Sequence, residues 1–226
     1  MGFRYLKSTV KINKILEVKN IINSLAFLKT FIKCFKLNFN IIYLDESAIQ
    51  NDNNNYYSWR FPNEDLFAKI GPKKRLNLIM AINAEKIIYY EINKINTDES
   101  IFLCFMDKLK NELLKQELNP NVIIMDNLSS HKTPKLMEFY DKYKINVLFN
   151  TPYLSTFNAI ELSFRNLKKF LYTKVFSSIE EVEEEVKKHL NDERFKIGIK
   201  ENFKETLIKY ENFNNQYCNM NFNNIE

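Results

Sequence analysis

The order of the short apolar runs restricts the fold of this chain more than any other feature. "FNIIYL" (39–44), "RLNLIMAIN" (75–83) and "KIIYYEI" (86–92) are rich in β-branched and aromatic residues and read as strands. "YYSWRF" (56–61) is a further candidate, and the turn between the last two runs falls near Asn83-Ala84-Glu85. Two later runs, "NVIIM" (121–125) and "INVLFN" (145–150), are each reached through an amphipathic segment. Strands joined by turns run antiparallel, and strands reached through a helix run parallel. The order therefore predicts an α/β fold: a mixed sheet whose first three strands are antiparallel and whose later strands are parallel, flanked by helices.

Helices are predicted where apolar residues recur every three or four positions. Over 12–37 these are Ile15, Val18, Ile21, Ile22, Leu25 and Leu28. From Thr97 or Asp98 to Leu118 they are Ile101, Phe102, Phe105, Leu109 and Leu113. Thr133-Pro134 opens a helix reaching Tyr143, because proline suits the first helical turn. Others are expected over 159–172, from Ser178 through "SIEEVEEEVKKHL", and over 201–211. Ser178 with Glu181 makes a capping box, so the acidic run there is read as a solvated helix face. The resulting division is a helical extension (1–38), an α/β body (39–195) and an Asn-rich helical tail (196–226).

Composition narrows the chemistry. The chain carries 3 cysteines, Cys34, Cys104 and Cys218, without a C-x-x-C pair, and 2 histidines, His131 and His189. Neither a disulfide framework nor a zinc ribbon is supported. No stretch of about 18 apolar residues signals a membrane span, and the N-terminus has no long apolar signal core. An intracellular protein is expected. A net charge of +5 and a pI of about 8.9 permit a nucleic-acid partner without requiring one.

Three acids stand in unusual places. Asp45 follows the first strand, Asp126 follows the run at 121–125, and Glu161 lies in the first turn of the helix after the last strand. Open α/β sheets place their sites at the carboxyl ends of strands, so the three could converge. Converging carboxylates repel unless protonated or bound to cations. Mg²⁺ or Mn²⁺ suits an all-oxygen set, and two such ions form the common clamp for phosphoryl transfer. Singly, each acid has a plainer reading. Asp45 and Asp126 serve equally as turn formers. Glu161 serves as the third residue of a capping box begun by Asn158.

The surroundings of these acids resemble a known family. "IIYLDES", "VIIMDNLSSHKT" and "TPYLSTFNAIELSFRNLKKF" are similar to the three catalytic blocks of DDE transposases of the mariner-type superfamily, including its bacterial insertion-sequence relatives. Asp126, Asn127 and His131 match the second block; Pro152, Tyr153, Asn158, Ile160 and Glu161 match the third. Asp126 and Glu161 enclose 34 residues, the spacing of a large branch of that superfamily. Trp59 in "WRFPNE" resembles the family's Trp-containing second strand. Ser155 and Ala159 replace two prolines of the third block, Phe164 a tryptophan and Leu154 a serine. About 38 residues precede the first strand, where family members carry helix-turn-helix modules, so a chain lacking that module is expected.

The resemblance implies an RNase H-like catalytic domain. Asp45, Asp126 and Glu161 would be its catalytic residues and hold two Mg²⁺ or Mn²⁺ ions, with Asn127, His131 and Asn158 in support. It also implies cleavage at the ends of a mobile element and strand transfer into target DNA, with no small-molecule cofactor. A homodimer on the DNA fits such a role. Arg165 and Lys168 share a helical stripe with Glu161, and Lys169 flanks it. These three, with Lys73, Lys74 and Arg75, are candidate phosphate contacts. The alternative is a transposase-derived DNA-binding protein without cleavage. A phosphatase using Asp45 as nucleophile fits less well, since "DES" lacks the D-x-D such enzymes need.

Overall fold

The computed structural model describes residues 18–50, 74–118, 120–151 and 157–217. Five strands form one sheet in the order β3-β2-β1-β4-β5. They are β1 (Asn40–Gln50), β2 (Arg75–Ile82), β3 (Ile87–Asn93), β4 (Asn121–Met125) and β5 (Val147–Phe149). β1, β2 and β3 are successively antiparallel, while β4 and β5 are parallel to β1 and to each other. This is the mixed sheet predicted from the run order. The strand candidate at 56–61 and Trp59 lie outside the described residues, as do Lys73, Pro152 to Ser155 and Cys218.

Helices cover both faces: α1 (Val18–Lys36), α2 (Glu99–Lys115), α3 (Pro134–Tyr143), α4 (Ala159–Leu171), α5 (Ile179–Leu190) and α6 (Glu193–Tyr217). Alternation along the strands sorts the side chains into two cores. Ile41, Tyr43, Leu78, Met80, Val122 and Ile124 pack against α1, α4, α5 and α6. Ile42, Leu44, Ile79, Ala81, Ile123 and Met125 pack against α2 and α3. With cores on both faces, β2 and β4 need continuous apolar sequence, as they have from Leu78 to Ile82 and from Val122 to Met125. None of the described helices is long and apolar enough to cross a membrane.

The helix ends obey local chemistry. Asp98 caps α2 by accepting from Ile101 N–H, and Thr133 caps α3 with Pro134 in its first turn. Ser178 Oγ accepts from Glu181 N–H, and Glu181 returns a bond to Ser177 N–H rather than to Ser178 itself.

Three expectations need correction. β1 does not stop before Asp45. Its parallel partner β4 ends at Met125, but antiparallel pairing with β2 carries β1 on to Gln50. The buried stripe of α1 is Ile21, Ser24, Phe27, Leu28 and Phe31, while Ile22 is exposed. The large phenylalanines turn the helix toward α6, and Ser24 Oγ comes within 3.3 Å of Thr151 Oγ1 beyond β5. Finally, α6 starts before the expected tail boundary at 196 and runs past 211. Phe195, Ile199, Phe203 and Tyr210 place it inside the first core.

Candidate active site

The parallel pairing sets Tyr43 opposite Ile124. Continuing that register by two residues brings Asp45 level with Asp126, just past the end of β4. Asp45 shares strand parity with Ile41 and Tyr43, so it faces the core that contains α4. Glu161 lies in the first turn of α4, exposed. The residue before that helix closes the arrangement: Asn158 Nδ2 donates to Asp45 Oδ2 at 3.1 Å.

Asp45 is no turn former; it lies within a strand and is 8% exposed. Asn158 occupies the N-cap of α4 yet makes no side-chain cap bond, because its amide is turned to Asp45. A capping bond is typically worth about 1 kcal/mol, so α4 forgoes that stabilisation to hold the aspartate. Asp126 does accept from Leu128 N–H at 3.4 Å, a long turn contact, but its closer neighbour is His131.

Electrostatics tie the acids together. Burial pushes the Asp45 carboxyl up to about 8, with Glu161 and then Asp126 adding repulsion, against the opposing hydrogen bond from Glu46 N–H. Glu161 and Asp126 thus both act on the buried carboxylate. Among the described residues, no three His, Cys, Asp or Glu side chains close on a single metal-binding point. The donor chemistry nevertheless fits a hard cation, which would relieve the repulsion at Asp45. Asn158 Oδ1, buried and without a hydrogen-bond partner, adds an unused oxygen.

His131, carried on a 3-10 turn (Ser129–Lys132), is buried, with its ring stacked on Phe102 at 4.6 Å between centroids. Its Nδ1 lies 2.7 Å from Asp126 Oδ1, an ion-pair distance although the ring N–H is not aligned along it. Its Nε2 lies 3.3 Å from Glu46 Oε1. Burial opposes charge on the ring, but the two carboxylates outweigh it and push the pKa up to about 10. Asn127 is exposed and its side chain accepts from Lys132 Nζ.

The candidate phosphate contacts separate into two groups. Arg165, Lys168 and Lys169 line an open groove of about 450 Å³ with Glu161, Phe164 and Tyr172. That groove starts at the acid and follows α4 for its whole length. Arg75, by contrast, pairs with Gln50, five positions along β1 from Asp45, or about 17 Å at strand rise. Its Nε donates to Asn77 Oδ1, and the charge of neighbouring Lys74 acts on Glu180. These two residues are not brought to the acids.

Sequence reading missed Glu46. Its only signal is adjacency to Asp45 in a strand, which sends the two side chains to opposite faces. It missed the contact of α6 with the site as well: Tyr210 Oη donates to Phe157 C=O at 2.6 Å, one residue before Asn158.

Comparisons with known proteins bear on the family and the fold. Residues 40–196 match a family model described as DDE superfamily endonuclease. A search of curated protein sequences returns no match. Among solved structures, the chain is similar to the Mos1 mariner paired end complex with Mn (TM-score 0.75, 16% identity, covering 96% of this chain and 67% of that one). It is similar to the Mos1 strand transfer complex (0.73, 16%, 94% and 66%). The catalytic domain of Mos1 mariner transposase also matches (0.63, 15%, 91% and 98%). At these identities the likeness is one of fold, and the chain spans about two thirds of the longer Mos1 chains.

Proposed function

Because the chain belongs to the DDE superfamily of endonucleases, we propose that it is the catalytic domain of a mariner-type DNA transposase. Asp45, Asp126 and Glu161 are its metal ligands. The observation that carries this reading is the buried Asp45 carboxylate, whose charge is opposed by both Asp126 and Glu161. Such a cluster is costly for folding alone and is suited to cation binding. The same fold serves the Mos1 paired end complex with Mn and the Mos1 strand transfer complex.

Mg²⁺ or Mn²⁺ held there, as a pair, would activate the attacking oxygen and neutralise charge on the phosphate. The substrates are DNA: water attacks the phosphodiester at an element end, and the freed 3′-hydroxyl then attacks target DNA. Asn158 orients Asp45 by donating to one carboxylate oxygen while Glu46 N–H donates to the other. Arg165, Lys168 and Lys169 hold phosphates along the α4 groove without reading sequence. Two copies would act together on paired ends, with no small-molecule cofactor.

The test is an assay with DNA carrying the sequences on either side of the coding region, in Mg²⁺ or Mn²⁺ and in EDTA. Metal-dependent nicking and strand-transfer products are expected. Salt-sensitive DNA binding with no cleavage in either metal would instead establish a DNA-binding protein on the transposase fold.

A second prediction concerns the groove. Replacing Arg165, Lys168 and Lys169 together by alanine should lower the slope of log affinity against log salt by roughly 2 to 3, at about 0.9 per phosphate contact. Affinity should fall alike for related and unrelated DNA sequences. Fluorescence anisotropy over a salt series measures both; an unchanged slope would remove these residues from the interface.

A further inference from the structure

We propose that Glu46 is a positioning residue that sets the carboxylate of Asp126 through the buried imidazole of His131. The inference rests on the metal-ligand reading of Asp126 and extends it to a residue on the opposite face of β1.

Alternation along β1 sends Asp45 toward α4 and Glu46 toward the α2 face. There Glu46 Oε1 meets His131 Nε2 at 3.3 Å, and the other ring nitrogen lies 2.7 Å from Asp126 Oδ1. One imidazole therefore spans from β1 to the residue that follows β4. Its freedom is small: the ring is 2% exposed and stacked on Phe102 with planes 21° apart. Tyr140 Oη donates to the His131 carbonyl at 3.3 Å, tying the turn to α3. Stacking resists tilting of the ring but leaves sliding within its own plane open, and the Glu46 contact opposes that movement. Without Glu46, a buried ring nitrogen loses its partner and the edge facing Asp126 is no longer fixed. Groups that orient metal ligands typically contribute 10–100-fold to metal affinity.

The measurement is Mn²⁺ binding to the full chain without DNA, followed by electron paramagnetic resonance, alongside the Mn²⁺ dependence of cleavage. Glu46→Ala should weaken Mn²⁺ binding about 10–100-fold, with cleavage restored at high Mn²⁺. Glu46→Gln keeps an acceptor oxygen and should stay close to wild-type affinity, well short of the alanine loss. In a His131→Ala background, Glu46→Ala should add nothing, since coupled residues are non-additive. Where alanine impairs folding, Glu46→Ser completes the same cycle.

Wild-type affinity in Glu46→Ala would overturn the proposal, and so would additive losses in the double variant, which would mean that Glu46 acts directly. Asp126→Asn separates the underlying reading. If it leaves Mn²⁺ binding unchanged, the metal-ligand assignment fails and this inference with it. If it abolishes binding while Glu46→Ala does not weaken it, the positioning role alone fails.

Discussion

Asp45→Asn is expected to abolish DNA cleavage and, in the same variant, to stabilise the metal-free protein. Loss of a ligand from a phosphoryl-transfer site removes several kcal/mol of transition-state stabilisation. About 4 kcal/mol corresponds to roughly 10³-fold in rate. The stability effect follows from the raised carboxyl. In the unfolded chain Asp45 ionises near its model value of 3.8, while in the fold burial and the Glu161 and Asp126 charges hold it to about 8. A folded-state pKa above the unfolded value contributes stability that is fully present below pH 4 and is lost as pH rises through about 8. At about 1.4 kcal/mol per pH unit, the buried acid at pH 8 therefore costs the fold several kcal/mol, and the amide does not.

Thermal melts in EDTA at pH 5 and pH 8 check this. The variant should melt clearly above wild type at pH 8, by about 2–4 °C for each kcal/mol in a chain of this size, and the gap should narrow at pH 5. Saturating Mn²⁺ should reverse the order, because only wild type binds the ion well. Asp126→Asn makes the contrast. It should abolish cleavage equally but bring no gain in Tm, since its side chain is 35% exposed and lies against His131. Equal melting curves for wild type and Asp45→Asn at pH 8 would show that Asp45 is not strained in the fold.

Tyr210→Ala is expected to produce the largest loss of stability, about 3–5 kcal/mol, as for other large-to-small aromatic changes in a core. Tyr210 joins α6 to three other parts of the molecule. Its ring packs edge-on against Phe31 of α1 at 4.5 Å and Phe157 at 4.8 Å. Its hydroxyl donates to the Phe157 carbonyl at 2.6 Å and lies 2.9 Å from Tyr43 Oη of β1. A phenol has one proton, so with Tyr210 committed to the carbonyl, Tyr43 is the donor between the two. Burial raises both phenols above their ordinary value, so neither ionises near neutral pH.

Tyr210→Phe keeps the ring but leaves a buried carbonyl and the Tyr43 hydroxyl unsatisfied. It should cost about 1–3 kcal/mol. Cleavage should fall in that variant too, because Phe157 precedes the asparagine that holds Asp45. Urea melts give both values; a Tyr210→Phe midpoint equal to wild type would mean that the hydroxyl network is not stabilising.

Much of this arrangement was legible beforehand because it follows from local rules. The strand directions followed from short apolar runs and from which of them are separated by helical periodicity. Caps at Asp98, Thr133 and Ser178 were visible because a short polar side chain before an apolar run satisfies free N–H groups. Even the meeting of Asp45 with Asp126 was within reach, since both lie just past apolar runs expected to neighbour each other. The buried stripe of α1 was harder. Ile22 fits the helical period as well as Phe27 does, and what decides between them is the aromatic surface of α6 across the core.

By itself, the sequence determined the element types, the mixed sheet and which three acids follow or flank its apolar runs. Those depend on periodicity, turn chemistry and the handedness of crossovers, all local or nearly so. Tertiary structure alone decided that β1 runs on through Asp45, that Asn158 turns from capping α4 to hold that aspartate, and that Glu46 reaches His131. It also separated Arg165, Lys168 and Lys169 from Lys74 and Arg75. Each of these is a choice between partners far apart in the chain. Local pattern leaves such choices equal, and they are settled by which groups the packed sheet and helices bring within a few ångströms.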